Sequence, residues 1–493
     1  MAGEDEALLQ SGARAYDARD YDAAIENFEL AYLLNPTALV AIFNLAITYL
    51  KKNRYRHALA LFEQSRRMDS TNFLPRQTLF AKAYSAFLMD LQYRPEWTRE
   101  AIFEAHTLYA TIFSDRQPLT RSERAKNKKI RIGYVSSDFY SHPVGIFTYR
   151  LFERHDRNRF ELFCYSNGNI KDRLTQGLQS RVDHWLDISG MDDAAVAQAM
   201  AADGLDILVD LAGHTGGNRL GVLFFRPAPV QISFLGYFDT TGVPTIDYLI
   251  TGDVAYRSGD ERFFTEKVLT VPGTHFCYAL PDFAAEPGPI PSDGVGMVTF
   301  GSFNNAKKMN DEVVGLWSRI LRHSPNFRLL LKWGAYTTDA TLRQGVVEMF
   351  RRGGVNSTQL VFEGYDTYDV VFARYNSVDV ALDPFPFTGA LTTCDALAMG
   401  VPVVTLNGDR LVSRQSQGIL TAMGLSMFVA EDPDDYVRLA VELASSVTLR
   451  ANLRKSLRSA LASSRVCDGH AFCNAIEAIF IRCVEQPGCA PVT

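Results

Sequence analysis

Apolar positions follow two rhythms along this chain. Through residues 1–113 they recur at helical spacing, and the arrangement repeats: Gly12, Tyr21, Ala24, Phe28, Ala31 and Pro36 return 34 positions later as Ala46, Tyr55, Ala58, Phe62, Ser65 and Ser70. That period predicts helix–turn–helix units, in which small residues let paired helices approach and aromatic residues fill the gap to the next unit. Two units cannot cover both of their flanks, so the helical stretch from Phe73 to Phe113 is expected to continue and cap the stack. The polar, charge-rich segment "SDRQPLTRSERAKNKK" (Ser114 to Lys129) reads as a linker over residues 114–128. Beyond it, short β-branched or aromatic runs alternate with helical stretches: "IRIGYVSS", "FELFCYS", "DILVDLAG", "VQISFLGY" and "DYLITG". A second boundary lies at the proline- and glycine-rich "PDFAAEPGPIPSDGVG" (Pro281 to Gly296), after which the alternation resumes. There it reads "VTFGSF", a helix from Asp311, then "FRLLLKW", "TQLVFEG", "VDVALDPFP" and "VPVVTLNG". Uninterrupted apolar runs of this length are strands buried on both faces, hence parallel. Two such units, 129–285 and 295–485, predict two doubly wound α/β lobes facing a cleft.

Composition narrows the picture. Hydrophobic residues make up 47% and charged residues 22% of the 493, so each unit has material for its own core. The net charge of -6, with both signs interspersed, argues against a nucleic-acid partner, which demands a basic face. A local basic pocket for a phosphorylated small molecule remains open. The longest apolar stretch, "ALVAIFNLAITYL", is too short and interrupted to span a bilayer, and the acidic "MAGEDEALLQ" has no signal-peptide character. Cysteines at 164, 277, 394, 467, 473, 483 and 489 form no C-x-x-C pair. An odd, dispersed set predicts free thiols in a reducing compartment, the cytoplasm, with no structural zinc.

In open α/β sheets ligands bind beyond the carboxyl ends of strands. In the first unit that rule points to His142 in "SSDFYSHPVG", and the segments "DHWLDIS" and "DLAGHTGG" add His184 and His214; each histidine, taken alone, is equally well a loop residue satisfied by backbone. In the second unit "GSFNNAKKMND" carries Asn304, Asn305, Lys307 and Lys308 ahead of a helix, and in "DPFPFTGALTTCDALAMG" Gly389, Leu391, Thr392 and Thr393 precede a helix containing Asp395. A glycine and two hydroxyls at a helix start form an anion site, where backbone N–H groups point outward and the helix dipole is positive. "TGALTT" by itself also reads as ordinary N-capping; with lysines on a second loop of the same edge, a diphosphate site is the better reading. Asp395 is placed to accept hydrogen bonds from a ribose. No G-x-x-x-x-G-K-[ST] or G-x-G-x-x-G pattern occurs, so P-loop hydrolysis and dinucleotide redox chemistry lack support. The D-x-D triplets at Asp20–Asp22 and Asp432–Asp434 sit where a metal–diphosphate clamp is not expected.

From Lys129 to about Ser464 the chain resembles the catalytic region of the protein O-linked N-acetylglucosamine transferases and their bacterial relatives. The landmarks are "RIGYVSSDFYSHPVG", "DHWLDIS", "ILVDLAGHTGGNRL", "RPAPVQISFLGY", "FGSFNNAKKM" and "LDPFPFTGALTTCDALAMGVPVVT", in family order and behind repeats of the tetratricopeptide type. The resemblance implies two Rossmann-like lobes of the GT-B type and an inverting, metal-independent transfer of a sugar, N-acetylglucosamine from UDP-N-acetylglucosamine, to Ser or Thr of acceptor proteins. It carries the family's active-site histidine onto His142, a second histidine onto His184 and the phosphate-binding lysine onto Lys308. An amide contact falls on Asn305, and nucleotide contacts fall on Arg374, Leu391, Thr392 and Asp395. The chain departs from the family pattern at Val371 and Ala390, near the donor, and at Phe238 and Asp239, which replace the usual proline–glycine after "LGY". These departures keep other readings open: protein O-fucosyl or N-glucosyl transfer, or an inert repeat scaffold.

Overall fold

The structure, a computed structural model, describes residues 4–68, 73–120 and 129–486. Helices Glu4–Asp17 and Tyr21–Leu34 form the first repeat, Leu39–Lys51 and Tyr55–Met68 the second, and Phe73–Leu91 and Arg99–Thr107 extend the stack. Among the described residues the repeated small and aromatic positions pack the helices together; Ser70 lies outside the described residues. A Cβ at Gly12 would lie 2.5 Å from the Phe28 ring, and Phe62 stacks on Phe80 of the next helix at 4.2 Å.

Two sheets follow, and every pairing in them is parallel. The first holds β1 (Ile130–Ser136), β2 (Phe160–Ser166), β3 (His184–Asp187), β4 (Ile207–Asp210), β5 (Val230–Phe234), β6 (Tyr248–Gly252) and β7 (Lys267–Val271). The second holds β8 (Val298–Ser302), β9 (Phe327–Lys332), β10 (Leu360–Glu363), β11 (Val380–Leu382), β12 (Val403–Leu406) and β13 (Val429–Ala430). Their strand orders are β3-β2-β1-β4-β5-β6-β7 and β10-β9-β8-β11-β12-β13. Each is the doubly wound order that opens a crevice where it reverses, between β1 and β4 and between β8 and β11. The carboxyl edges of the sheets meet: Phe238, after β5, packs edge-on to Phe387, after β11, at 5.3 Å.

Two segments pack in ways that chain order does not predict. The described part of the supposed linker is docked. Leu119 N–H donates to the Phe225 carbonyl at 2.8 Å, and Arg116 lies between the Phe113 and Phe225 rings while bonded to Asp193 at 2.8 Å. A chain this polar stays attached because the guanidinium is satisfied on the lobe. Residues 121–128 lie outside the described residues. The last helix, Gly469–Glu485, assigned by order to the second lobe, packs on the first. There Glu477 accepts from His155 Nδ1 at 2.9 Å and from the Asp156 N–H at 2.8 Å. Its apolar face, with Phe472 and Phe480 buried, finds its complement on helix Pro143–Arg154 and the first sheet.

Candidate functional site

The second lobe builds a charged cradle from the two loops at its strand-order reversal. After β8, the Asn305 side chain accepts from the Lys307 N–H at 3.0 Å, which turns the chain back over the sheet edge. Lys308 Nζ then donates to Asn304 Oδ1 at 2.8 Å and to the Thr388 carbonyl at 2.9 Å, joining this loop to the one after β11. The ammonium lies 4.5 Å from the centroid of the Phe387 ring. Burial pulls Lys308 down to about 8, with Asp383 opposing the shift.

Asp383, immediately after β11, is buried and organises the opposite loop. It accepts from the Gly389 N–H and from Thr405 Oγ1, each at 2.7 Å. A Cβ at Gly389 would lie 2.4 Å from Thr393 Oγ1 and 2.8 Å from Thr392 Oγ1, so only glycine leaves the cradle open. The helix Leu391–Ala398 starts from Ala390, which offers no side-chain cap. Its first N–H groups therefore lack the partner an ordinary N-cap supplies and present a positive helix end. The capping alternative for "TGALTT" is thereby set aside. Thr392 Oγ1 donates to Asn304 Oδ1 at 3.3 Å, and Thr393 Oγ1 pairs with Ser416 Oγ at 2.7 Å.

Two expected nucleotide contacts are held in other ways. Arg374 Nε donates to both Glu363 oxygens at 2.9 Å, a pairing that orients the guanidinium beside β10. Asp395 is buried beneath the cradle, where its Oδ1 accepts from Tyr278 and Tyr368 at 2.9 Å each. Burial pushes its carboxyl up to about 7, against the two hydroxyls. Asp395 thus couples the segment after β7 to the second lobe instead of presenting a free carboxylate.

On the first lobe His142 caps the helix Pro143–Arg154, with Pro143 at its first position. Its Nδ1 accepts from the Val144 N–H at 3.3 Å, and the Asp138 carboxylate lies 3.8 Å from the same nitrogen. Burial lowers the imidazole, opposed by Asp138, and burial raises the Asp138 carboxyl, opposed by His142. With Nδ1 accepting, the neutral ring carries its hydrogen on Nε2 and offers a donor; with that hydrogen on Nδ1, toward Asp138, Nε2 becomes a base. Beside it Ser137 Oγ donates to the Gly216 carbonyl at 2.8 Å, closing the β1 and β4 loops on each other.

His184 does not join this group. It opens β3, at the amino end of an edge strand, half exposed, stacked on Phe163 at 4.1 Å and bonded to Glu161 at 2.9 Å. The carboxyl-edge placement fails for it because "HWLD" is itself the strand. His214 is buried between Ser85 Oγ at 2.9 Å and the Thr241 carbonyl at 2.8 Å, a joint between the helical region and the first lobe. The D-x-D triplets supply helix caps: Asp20 accepts from the Ala23 N–H and Asp432 from the Asp435 N–H. Among the described residues one group of metal-ligand type lies together, His155, Cys473 and Glu477, and it is closed by its own hydrogen bonds away from the cradle. Sequence reasoning missed Asp383 and Phe387, although an acid directly after a buried strand in "VALDP" is a visible signal.

The model of Glycosyl transferase family 41 matches residues 99–281 and 289–476. The chain belongs to glycosyl transferase family 41. It is 36% identical over 405 residues to the probable UDP-N-acetylglucosamine–peptide N-acetylglucosaminyltransferase SPINDLY of Arabidopsis thaliana. That match covers 80% of this chain but 44% of the plant protein, so the chain spans less than half the length of that relative. The UDP-N-acetylglucosamine–peptide N-acetylglucosaminyltransferase of Caenorhabditis elegans is 25% identical over 479 residues, covering 73% of this chain and 41% of its own. A solved O-GlcNAc transferase mutant of Thermobaculum terrenum superposes with a TM-score of 0.77 at 29% identity, covering 98% of each chain. The family 41 architecture here is accordingly GT-B: two Rossmann-like lobes behind a region of repeated helices.

Proposed function

We propose that this chain is an inverting, metal-independent protein glycosyltransferase that moves N-acetylglucosamine from UDP-N-acetylglucosamine to Ser or Thr of acceptor proteins. The convergence of Lys308, the open Gly389 turn and the uncapped start of helix Leu391–Ala398 carries the reading. These groups form a preorganised site for a diphosphate, on the edge that faces the first lobe. In the transfer, the acceptor hydroxyl forms the new bond to the anomeric carbon while the bond to the diphosphate oxygen breaks. Negative charge develops on that oxygen, where Lys308 and the helix end offset it without a divalent ion. Loss of one such donor costs about 10²–10³ in rate in comparable sites. His142, on the first lobe, either positions the acceptor through Nε2–H or takes its proton through Nε2, the two tautomers its pairing permits. Asn305, Thr392, Thr393 and Arg374 border the nucleotide, and Asp395 supports them from below. The six described cysteines are free thiols, which supports a reducing, cytoplasmic setting, and no helix among the described residues is long and apolar enough to cross a membrane.

A different donor sugar or base is the second reading. Val371 and Ala390 favour it, since neither offers a hydrogen-bonding side chain at the donor. Thermal stabilisation by a panel of nucleotides and nucleotide sugars, without added metal, separates the two. A ligand at 100 times its Kd adds about 2.7 kcal/mol. Stabilisation by UDP and UDP-N-acetylglucosamine is the expected outcome; stabilisation by GDP alone moves the reading to fucosyl transfer, and none by any nucleotide moves it to an inert scaffold.

A further inference from the structure

We propose that the turn joining helices Phe73–Leu91 and Arg99–Thr107 is a working part of the donor site, with Tyr93 as a positioning residue that fixes Lys308 through the ring of Phe387. The inference rests on the reading of Lys308 as the cation for the donor diphosphate.

Phe387 is gripped by all three parts of the molecule. Tyr93, from the helical region, stacks on it at 4.9 Å with the rings inclined by 27°. Phe238, from the first lobe, meets it edge-on at 5.3 Å and 74°. Lys308 Nζ, in the second lobe, lies 4.5 Å from its centroid. The residue after Phe387 supplies the carbonyl that Lys308 holds, so ring and carbonyl place the ammonium together. A cation over an aromatic face gains a factor of a few in water and more where water is excluded. That gain requires the ring to be held flat beneath the charge, and Tyr93 holds it.

The turn itself is fastened rather than merely adjacent. Gln92 Nε2 donates to Asp239 Oδ2 at 3.0 Å. The buried Arg410 of the second lobe donates to the Leu91 carbonyl at 3.4 Å and to the Arg94 carbonyl at 3.2 Å. Phe238 and Asp239, the two departures from the family pattern after "LGY", are thus the first-lobe residues that meet this turn and its stack. The turn precedes residue 99, where the match to the family model begins.

Of the charged groups, Asp383 faces Lys308 from the loop after β11. Around the stack lie the Tyr93 hydroxyl, Asp239 on Gln92, and His275, which is edge-on to Phe238 at 6.0 Å. Burial is the largest influence on Lys308, so opening the stack to water moves its ionisation toward that of an ordinary lysine.

The test measures UDP affinity of the full chain by calorimetry between pH 6.5 and 9.5, with the Tm of each variant taken in parallel. Tyr93→Ala and the volume-keeping Tyr93→Leu are expected to bind UDP roughly 3- to 10-fold more weakly at pH 7. Their fall in affinity is expected to move to higher pH, whereas Tyr93→Phe, which keeps the ring, stays within about twofold of the parent. Wild-type affinity and an unmoved pH midpoint in both Tyr93→Leu and Tyr93→Ala overturn the proposal. So does a Tyr93→Phe variant as weak as Tyr93→Leu, which would assign the effect to the hydroxyl. The Lys308→Met variant separates the two levels: if it binds UDP like the parent, the reading of Lys308 is at fault; if it loses UDP while Tyr93→Leu does not, only the role of Tyr93 falls.

Discussion

At Gly389 one methyl group decides whether the cradle is open. A Cβ there would crowd Thr393 Oγ1, Thr392 Oγ1 and Asp383 Oδ1 at 2.4, 2.8 and 3.0 Å. Thr393 is buried and tied to Ser416, so it has little room to turn away. Gly389→Ala is expected to weaken nucleotide binding about tenfold and to lower Tm, since overpacking a tight site costs about 1–3 kcal/mol, as measured by calorimetry and a melting curve. Lys308 sets a pH limit. Burial pulls its ammonium down to about 8, with Asp383 opposing the shift, so the cation is present below that value and lost as pH rises through it. Affinity for a nucleoside diphosphate should therefore fall above pH 8, and Lys308→Met should be weak at every pH with no such fall. His142→Ala should lower turnover and leave UDP affinity unchanged, because its side chain borders the first lobe and not the diphosphate. A parallel loss of affinity would place His142 in donor binding.

Elements bring their own test and mark what the sequence made legible. The helix Leu391–Ala398 carries Asp395, a carboxyl that burial raises to about 7. A folded pKa above the unfolded value near 4 means its contribution is greatest below pH 4 and declines as pH rises toward 7. Asp395→Asn keeps an acceptor for the two tyrosines and removes that slope, so its Tm should exceed the parent's at pH 8 and the gap should close toward pH 4. Ten strands are legible as apolar runs such as "DILVDLAG" and "FRLLLKW"; most are buried on both faces, which demands continuous β-branched or aromatic sequence, while β10 is a partly exposed edge. The three that are not, β3, β7 and β13, all lie at sheet edges. β3 is largely exposed and β13 is two residues long, so neither needs such a run. The same logic holds for the site. Lys308 and Gly389 stand out in the sequence by loop chemistry and Asp395 by its place on the helix, whereas its bonds to Tyr278 and Tyr368 depend on packing between distant segments. His184 lies beside a strand end, but at the amino end of β3, because "HWLD" is itself the strand, and Tyr93 belongs to a turn whose contacts depend on packing among three distant stretches.

At the scale of the whole molecule, Asp260 is the point where the three parts share one charge. Arg99 of the helical region donates to its Oδ1 at 2.6 Å, and the buried Arg414 of the second lobe donates to its Oδ2 at 2.9 Å. Removing the acid leaves two poorly solvated guanidinium groups, a loss on the order of 3–5 kcal/mol. Asp260→Ala should lower Tm and split a single melting transition into two, as seen by calorimetry. Lobes expressed from Lys129 onward should show the same uncoupling and lose nucleotide affinity, since Arg99, Gln92 and Tyr93 go with the deleted region.

The last helix has a consequence for how this chain is made. The first lobe has all its strands once Val271 has been synthesised, yet its cover, Gly469–Glu485, follows only after the whole sheet of the second lobe. At roughly 5–20 residues per second, the nascent first lobe waits on the order of 10–40 s with the bed for Phe472, Cys473 and Phe480 unfilled. During that wait His155 and the Asp156 N–H lack the carboxylate of Glu477, and Phe234 lacks the Phe472 ring. Ribosomes stalled just short of Gly469 should therefore display a chain that holdase chaperones retain, and release of the missing helix should free it.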